Sequence, residues 1–193
     1  MREYYEQRAP EYDDWWTGAG LFAARDRPGW HAEVAELIGA LEALPPARTL
    51  DIACGTAFLA RRLPGEVTGL DASAGMLAIA RQRLPHVVEG DALDPPFADG
   101  AFERVSTGHF YGHLREPERI RFVERARRLA PELLVIDSAR RGDVPAERMD
   151  QRVLNDGSRH EVFKRWFAPA QLADELGGGE IVHAGHWFVA VRA

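Results

Sequence analysis

The sequence predicts a doubly wound α/β fold: a mostly parallel sheet with helices on both faces and an antiparallel C-terminal end. Two observations carry this. From Arg48 to Ser138 short apolar runs alternate with segments of helical periodicity, the pattern of βαβ units with right-handed crossovers. Beyond Ser138 the alternation stops, and Asp156-Gly157 lies between two short strand-like runs as a hairpin turn signal.

In order along the chain, "GWHAEVAELIGALEAL" places Val34, Leu37, Ile38, Leu41 and Leu44 at helical spacing, and Pro45 and Pro46 end that helix. "RTLDIA" reads as a buried strand, "TAFLARRL" as a helix and "EVTGLDAS" as a second strand. Ser73 is a suitable N-cap for the helix in "SAGMLAIARQRL". A short strand in "HVVEGDA" leads through the turn-rich "LDPPFADG" to a strand in "AFERVSTG". "EPERIRFVERARRLA" is helical, with a solvated, ion-paired face, and "ELLVIDS" is another apolar strand. After the hairpin, "PAQLADELGGG" reads as a short helix and "EIVHAGHWFVAV" as one terminal strand.

Composition narrows the function. At 193 residues the chain has the size of one domain that buries a core without staples. A formal net charge of -6 argues against a nucleic-acid surface. The single cysteine, Cys54, excludes an internal disulfide and suits a reducing, cytoplasmic setting. No apolar run approaches the roughly 18 residues a membrane helix needs, so no membrane partner is expected. Nothing in the sequence chooses between monomer and homodimer.

In such a fold ligands sit beyond the carboxyl ends of the strands, where strand order reverses. The small-residue loop Ala53 to Ala57 follows the first strand, and a helix start after it would offer free N–H groups to an anionic ligand group. Asp71 ends the second strand, 20 residues after Asp51, about the spacing at which an acid meets a ribose diol. Asp91 ends the third. A pyrophosphate needs Gly-x-Gly-x-x-Gly, but the loop reads Ala53, Cys54, Gly55, Thr56, Ala57. Two of the three glycines are missing, so an adenosine without a pyrophosphate fits better than NAD.

"LDIACGTAFLA", "VTGLDASAGMLAIAR" and "VVEGDALDPPFADGAFERV", in that order, resemble the successive motifs of class I S-adenosylmethionine-dependent methyltransferases of the small-molecule type. The resemblance implies a seven-stranded Rossmann-like sheet, with one domain over 1–193: an N-terminal lid segment (1–30), a cofactor-binding core (31–140) and a C-terminal hairpin, helix and last strand (141–193). It implies S-adenosyl-L-methionine as cofactor and S-adenosyl-L-homocysteine as product. Asp51, Ala53, Gly55 and Thr56 would surround the methionine part, Asp71 would bind the ribose, Met76 would lie against the adenine, and Asp91 with Ala92 would bind the adenine edge. Ala72, Leu93, Thr107 and Tyr12 complete the implied cofactor set. Ala57 departs from the family pattern, which has glycine there.

"STGHFYGHL" crowds His109, Tyr111 and His113 where this family presents the methyl group. If the acceptor must lose a proton, His109 is the first candidate base; His113 has the alternative of satisfying a backbone carbonyl. The aromatic leading segment, with Tyr4, Tyr5, Tyr12, Trp15 and Trp16, reads either as a lid over the acceptor or as an anchor on the core. His160, Lys164 and Trp166 share one face of the hairpin. No metal is expected. The function expected is methyl transfer to an O, N or C atom of a small molecule; the alternative is a cofactor-binding regulatory or partner subunit.

Overall fold

A computed structural model of the chain describes residues 2–193. Five strands are parallel neighbours: β1 (Thr49–Ile52), β2 (Val67–Asp71), β3 (His86–Glu89), β4 (Arg104–Gly108) and β5 (Glu132–Ser138). The hairpin β6 (Glu147–Val153) and β7 (Arg159–Arg165) forms a separate two-stranded sheet. The last two strands, β8 (Glu180–Ala184) and β9 (Phe188–Arg192), complete a seven-stranded sheet of order β3-β2-β1-β4-β5-β9-β8. β9 is antiparallel to both neighbours, so it runs against the other six.

The sheet buries both faces. Leu134 and Ile136 of β5, with Phe188 and Ala190 of β9, pack in one cluster with α3 (Trp30–Glu42) and α4 (Ala74–Ala80). The intervening Leu133, Val135, Val189 and Val191 pack in another with α5 (Glu116–Leu129) and α6 (Pro169–Glu175). Alternate side chains of a strand point to opposite faces, so these runs are apolar throughout.

Two sequence expectations change. The segment "TAFLARRL" is not an α-helix; it is a turn followed by a single 3-10 turn over Ala60–Arg62. Ala57 has φ +60°, a left-handed conformation that cannot continue a right-handed helix, and Pro64 closes the far side. The terminal run is also not one strand, because Glu33 of α3 interrupts it. The buried Glu33 carboxylate accepts hydrogen bonds from the backbone N–H groups of His186 (3.0 Å), Trp187 (2.8 Å) and Phe188 (2.8 Å). That carboxylate sits where a side chain on Gly185 would fall, at 2.0 Å, so the reversal needs glycine. Ser73 caps α4 as expected, its hydroxyl accepting from the Met76 N–H at 3.1 Å. The Asp156-Gly157 turn forms as well, with Gly157 at φ +84°.

The leading segment, α1 (Arg2–Arg8) and α2 (Asp14–Thr17), lies along the carboxyl edge of the sheet and is fixed there by acids. Glu6 accepts from the Ser73 hydroxyl (2.6 Å) and the Gly75 N–H (2.8 Å). Asp13 accepts from the Thr56 hydroxyl and from Arg83, each at 2.6 Å. Glu11 accepts from the Asn155 N–H in the hairpin turn at 2.8 Å. Glu33→Ala strands three backbone donors at the β8–β9 reversal; urea unfolding should show a loss of about 2–4 kcal/mol, with the same secondary structure by circular dichroism.

Candidate functional site

A cavity of about 220 Å³ opens where the strand order reverses between β1 and β4. Of the residues singled out from sequence, Tyr12, Ala53, Gly55, Asp71, Ala72, Asp91, Ala92, Leu93 and His109 line it. Tyr5 of α1 shares the wall with Tyr12, and Gly108, Phe110, Leu114 and Glu118 complete the β4 side.

The backbone at this rim is strained in a consistent place. Ala53 (φ +57°), Ala57 (φ +60°) and His109 (φ +56°) are the non-glycine residues with left-handed φ among the described residues. All three follow β1 or β4. Such a conformation costs an L-residue roughly 1–2 kcal/mol and persists only where the surroundings over-determine it. Ala57 thus keeps the backbone shape that a glycine would adopt freely, and its methyl group is fully buried.

Asp71 shapes the loop. Its carboxylate accepts from the Gly55 N–H at 2.8 Å and the Ser73 N–H at 2.9 Å, tying the ends of β1 and β2 together. Burial raises its pKa, opposed by these hydrogen bonds. The expectation of an anion at a helix start fails here, since no α-helix follows β1 and the Gly55 N–H already serves Asp71. Asp91 is exposed, and its side chain caps the turn by accepting from the Leu93 N–H at 2.9 Å.

Several expected residues lie behind the cavity. Asp51 is buried beneath it and accepts from the Ser106 hydroxyl at 2.5 Å. Burial pushes its pKa up to about 6, despite that bond. Thr56 turns away to Asp13, and the Thr107 hydroxyl donates to the Ile52 carbonyl at 2.8 Å. Met76 is in the core under Gly55, 1% exposed, and is not a wall of the cavity. Cys54 is also buried, its thiol pKa raised by that burial, which leaves it inert.

The three candidates after β4 separate completely. Tyr111 points away from the cavity, 2% exposed, with its hydroxyl 3.5 Å from Glu175 beside α6. A catalytic role for Tyr111 is therefore corrected: the 3-10 turn over Tyr111–His113 rotates it to the far side of the sheet. His113 takes its alternative reading, with Nδ1 2.6 Å from the Phe163 carbonyl, which fixes Nδ1 as the protonated nitrogen. His109 reaches the cavity, with Nδ1 3.4 Å from the Ser138 hydroxyl and 3.8 Å from Asp137, while the buried Nε2 has no partner among the described residues. Burial holds both imidazoles at about 3 and so neutral at ordinary pH. The same burial penalises an imidazolium, so the base role expected of His109 is corrected to that of a neutral hydrogen-bonding group.

Asp137 and Ser138, which the sequence reading passed over, organise this wall. Asp137 ends the apolar β5, is fully buried, pairs with Lys164 of β7, and accepts from the Gly112 N–H at 2.7 Å. The neighbouring Lys164 keeps it ionised against its burial. A buried acid closing an apolar strand is the signal the sequence held. The leading segment divides its aromatics: Trp16 stacks on Phe58 at 4.8 Å and Trp15 packs edge-on against His109 at 4.7 Å, as anchors. Tyr5 and Tyr12 face the cavity. On the hairpin, Lys164 turns inward, while the His160 ring packs against Tyr4 at 5.1 Å.

A methyltransferase-domain family model matches residues 49–132. The demethylmenaquinone methyltransferase of Renibacterium salmoninarum is 32% identical over 120 residues, covering 60% of this chain and 48% of that protein. The 2-phytyl-1,4-naphtoquinone methyltransferase of Trichormus variabilis is 26% identical over 197 residues, covering 92% and 76%. The chain spans about half the length of the first curated relatives it matches. Among solved structures, a DhpI complex with SAM and HEP has a TM-score of 0.76 at 24% identity, covering 99% of this chain and 94% of that one. A DhpI–SAH complex has a TM-score of 0.70 at 26% identity, covering 98% and 92%.

Acidification should destabilise the ligand-free protein. Below about pH 6.5 the unfolded chain protonates His109 and His113 while the folded chain refuses both protons until about 3, so stability falls with pH. Asp51 acts oppositely between about 4 and 6, because the folded state holds its proton more tightly. Two sites outweigh one, and urea unfolding should show a net loss of about 2 kcal/mol from pH 6.5 to 5. His113→Gln should flatten that dependence.

Proposed function

We propose that the chain is a class I S-adenosylmethionine-dependent methyltransferase, a reading that its fold, motif order and sequence match support, and that it moves a methyl group from S-adenosyl-L-methionine to a small-molecule acceptor. The carrying observation is the convergence of the β1 loop, Asp71 and the Asp91 turn on one cavity beneath Tyr5 and Tyr12. The names of the relatives and the cofactors in the DhpI complexes support it.

The residues present fit this cofactor. Asp71 retains lone pairs beyond its two backbone bonds, and these suit a ribose diol. Ala92 and Leu93 offer an apolar wall for the adenine, with the exposed Asp91 at its edge. Ala53 and Gly55 keep the loop bare, so that a ligand can approach the backbone. Asp51 and Thr56 act one layer back: Thr56 holds the leading segment through Asp13, and Asp51 places an acid beneath the loop. Thr107 and Met76 support the rim from the core.

When bound, S-adenosyl-L-methionine supplies an electrophilic methyl group on a sulfonium and leaves as S-adenosyl-L-homocysteine. The chain's task is then alignment and exclusion of water. Tyr5 and Tyr12 cover the cavity, while Glu6 and Asp13 hold their segment down. His109 lines both the cofactor cavity and a smaller one beside it, where its neutral imidazole is suited to hydrogen-bond an acceptor and fix its direction of attack. The bulk of the anchored leading segment and the enclosure of the site favour a small molecule over a macromolecule.

Calorimetry with S-adenosyl-L-homocysteine tests the reading. Binding is expected in the wild type, and Asp71→Asn, which keeps the side-chain shape, should weaken it by about 1–3 kcal/mol; no binding at saturating ligand rejects the assignment. Affinity for S-adenosyl-L-methionine should also rise with pH and level off above about 6, as Asp51 ionises beneath a cationic ligand. A flat profile would remove Asp51 from the site's electrostatics.

A further inference from the structure

Beside the cofactor cavity lies a second, smaller one of about 60 Å³, and the two share Tyr5, Tyr12 and His109 as a common wall. By volume it holds about four to six water-sized groups. Besides Tyr4, Trp15, His113 and Ser138, its remaining walls are three cations, Arg8 from α1, Arg152 from β6 and Lys164 from β7, and among the described residues no carboxylate lines it. This is unexpected in a chain of net charge -6.

The charges are not equally balanced. Lys164 is neutralised by Asp137 beneath it, and Arg152 shares Asp150 with Arg148, both at 3.0 Å. Arg8 is different. It is 6% exposed, and its polar contact is a hydrogen bond from Nη1 to the Tyr4 hydroxyl at 2.8 Å. Its guanidinium otherwise lies 5.5–5.7 Å from the ring centres of Tyr4, Tyr12 and Phe22. Among the described residues no carboxylate forms an ion pair with it. A guanidinium cannot shed its proton, and a buried charge is costly unless a counter-charge or strong hydrogen bonds satisfy it. Neighbouring Arg25 and Arg152 add to the positive potential.

We propose that this cavity is the acceptor subsite of the methyl transfer proposed above, and that the acceptor is a small organic oxyanion, a carboxylate or a phosphoryl-type group, whose charge is seated by Arg8 and Arg152. The inference rests on that reading for the identity of the adjoining cavity, but the anion site itself stands on this chain's own charges. Arg8 and Arg152 come from opposite sides, the leading segment and the hairpin, so the anion completes contacts between the two elements that cover the sheet edge. Ser138 adds a hydroxyl on the β5 side, and His109 stands between the seated anion and the cofactor cavity. An acceptor of this size reaches the methyl group only across the wall of Tyr5, Tyr12 and His109 that the two cavities share, which limits it to a few heavy atoms.

The test is calorimetric titration of inorganic phosphate, and separately of acetate, into the full chain in Tris chloride, with and without saturating S-adenosyl-L-homocysteine. Saturable millimolar binding of either probe is expected, unaffected by the nucleoside. The stronger probe tells phosphoryl from carboxylate recognition. Arg8→Gln and Arg152→Gln should each weaken it at least tenfold while leaving S-adenosyl-L-homocysteine affinity within twofold. Should the buried Arg8 variant fail to fold, Arg152→Gln decides, since its side chain is 24% exposed. Absence of saturable binding by both anions, or equal binding in Arg152→Gln, overturns the proposal. Competition between S-adenosyl-L-homocysteine and phosphate would assign the arginines to the cofactor's own carboxylate and overturn it equally. Failure of the nucleoside to bind, with phosphate binding intact and lost in the variant, would instead sink the cofactor reading and leave the anion site standing.

Discussion

The constraint on which the molecule turns is the reversal of strand order between β1 and β4. A parallel sheet wound outward in both directions leaves the carboxyl ends of these two strands without a crossover above them. Their backbones end in left-handed residues, Ala53 and His109, and the gap between them is the cavity. Everything outside the sheet addresses that gap. The leading segment covers it, and the β6–β7 hairpin closes the smaller cavity beside it, the two elements being joined by Glu11 at the turn and by the small cluster of Tyr4, Leu154 and Val162.

Carboxylates hold this cover in place, each doing so by accepting from groups on other elements. Glu6 and Asp13 reach from the leading segment onto the starts of the βα connections, and Asp71 binds the β1 loop to β2. Glu33 and Asp137 do the same on the β9 and β4 sides. Each satisfies backbone or hydroxyl donors that would otherwise lie buried and unpaired. These carboxylates serve as internal scaffolding, while the inner cavity takes its charge from Arg8, Arg152 and Lys164.

The same burial decides the chemistry that the rim can perform. His109 and His113 lie too deep to carry a proton, and Cys54 too deep to lose one. What remains is a chamber of fixed dipoles, aromatic walls and arginines, which suits a reaction whose main demand is alignment. Methyl transfer from a sulfonium is of that kind.

The sequence by itself determined the sheet, the alternation of its elements, the Ser73 cap, the Asp156-Gly157 turn and the acids at the ends of β2 and β3, because each depends on neighbours within a few residues. Asp71, Ala72, Asp91 and the small loop at Ala53 and Gly55 were legible for the same reason: strand ends announce themselves locally. Only the tertiary structure decided what lies across the gap. Whether Tyr5 and Tyr12 or Trp15 and Trp16 would face inward depends on Glu6 and Asp13 finding partners 43 to 70 residues away. The turn that sends Tyr111 to the far side, the depth that keeps His109 neutral and the lack, among the described residues, of a carboxylate paired with Arg8 are likewise set by packing between distant segments. Burial and long-range pairing carry no signature in local spacing, and for that reason the strand-end residues of the larger cavity could be read from the chain while the lining of the smaller one could not.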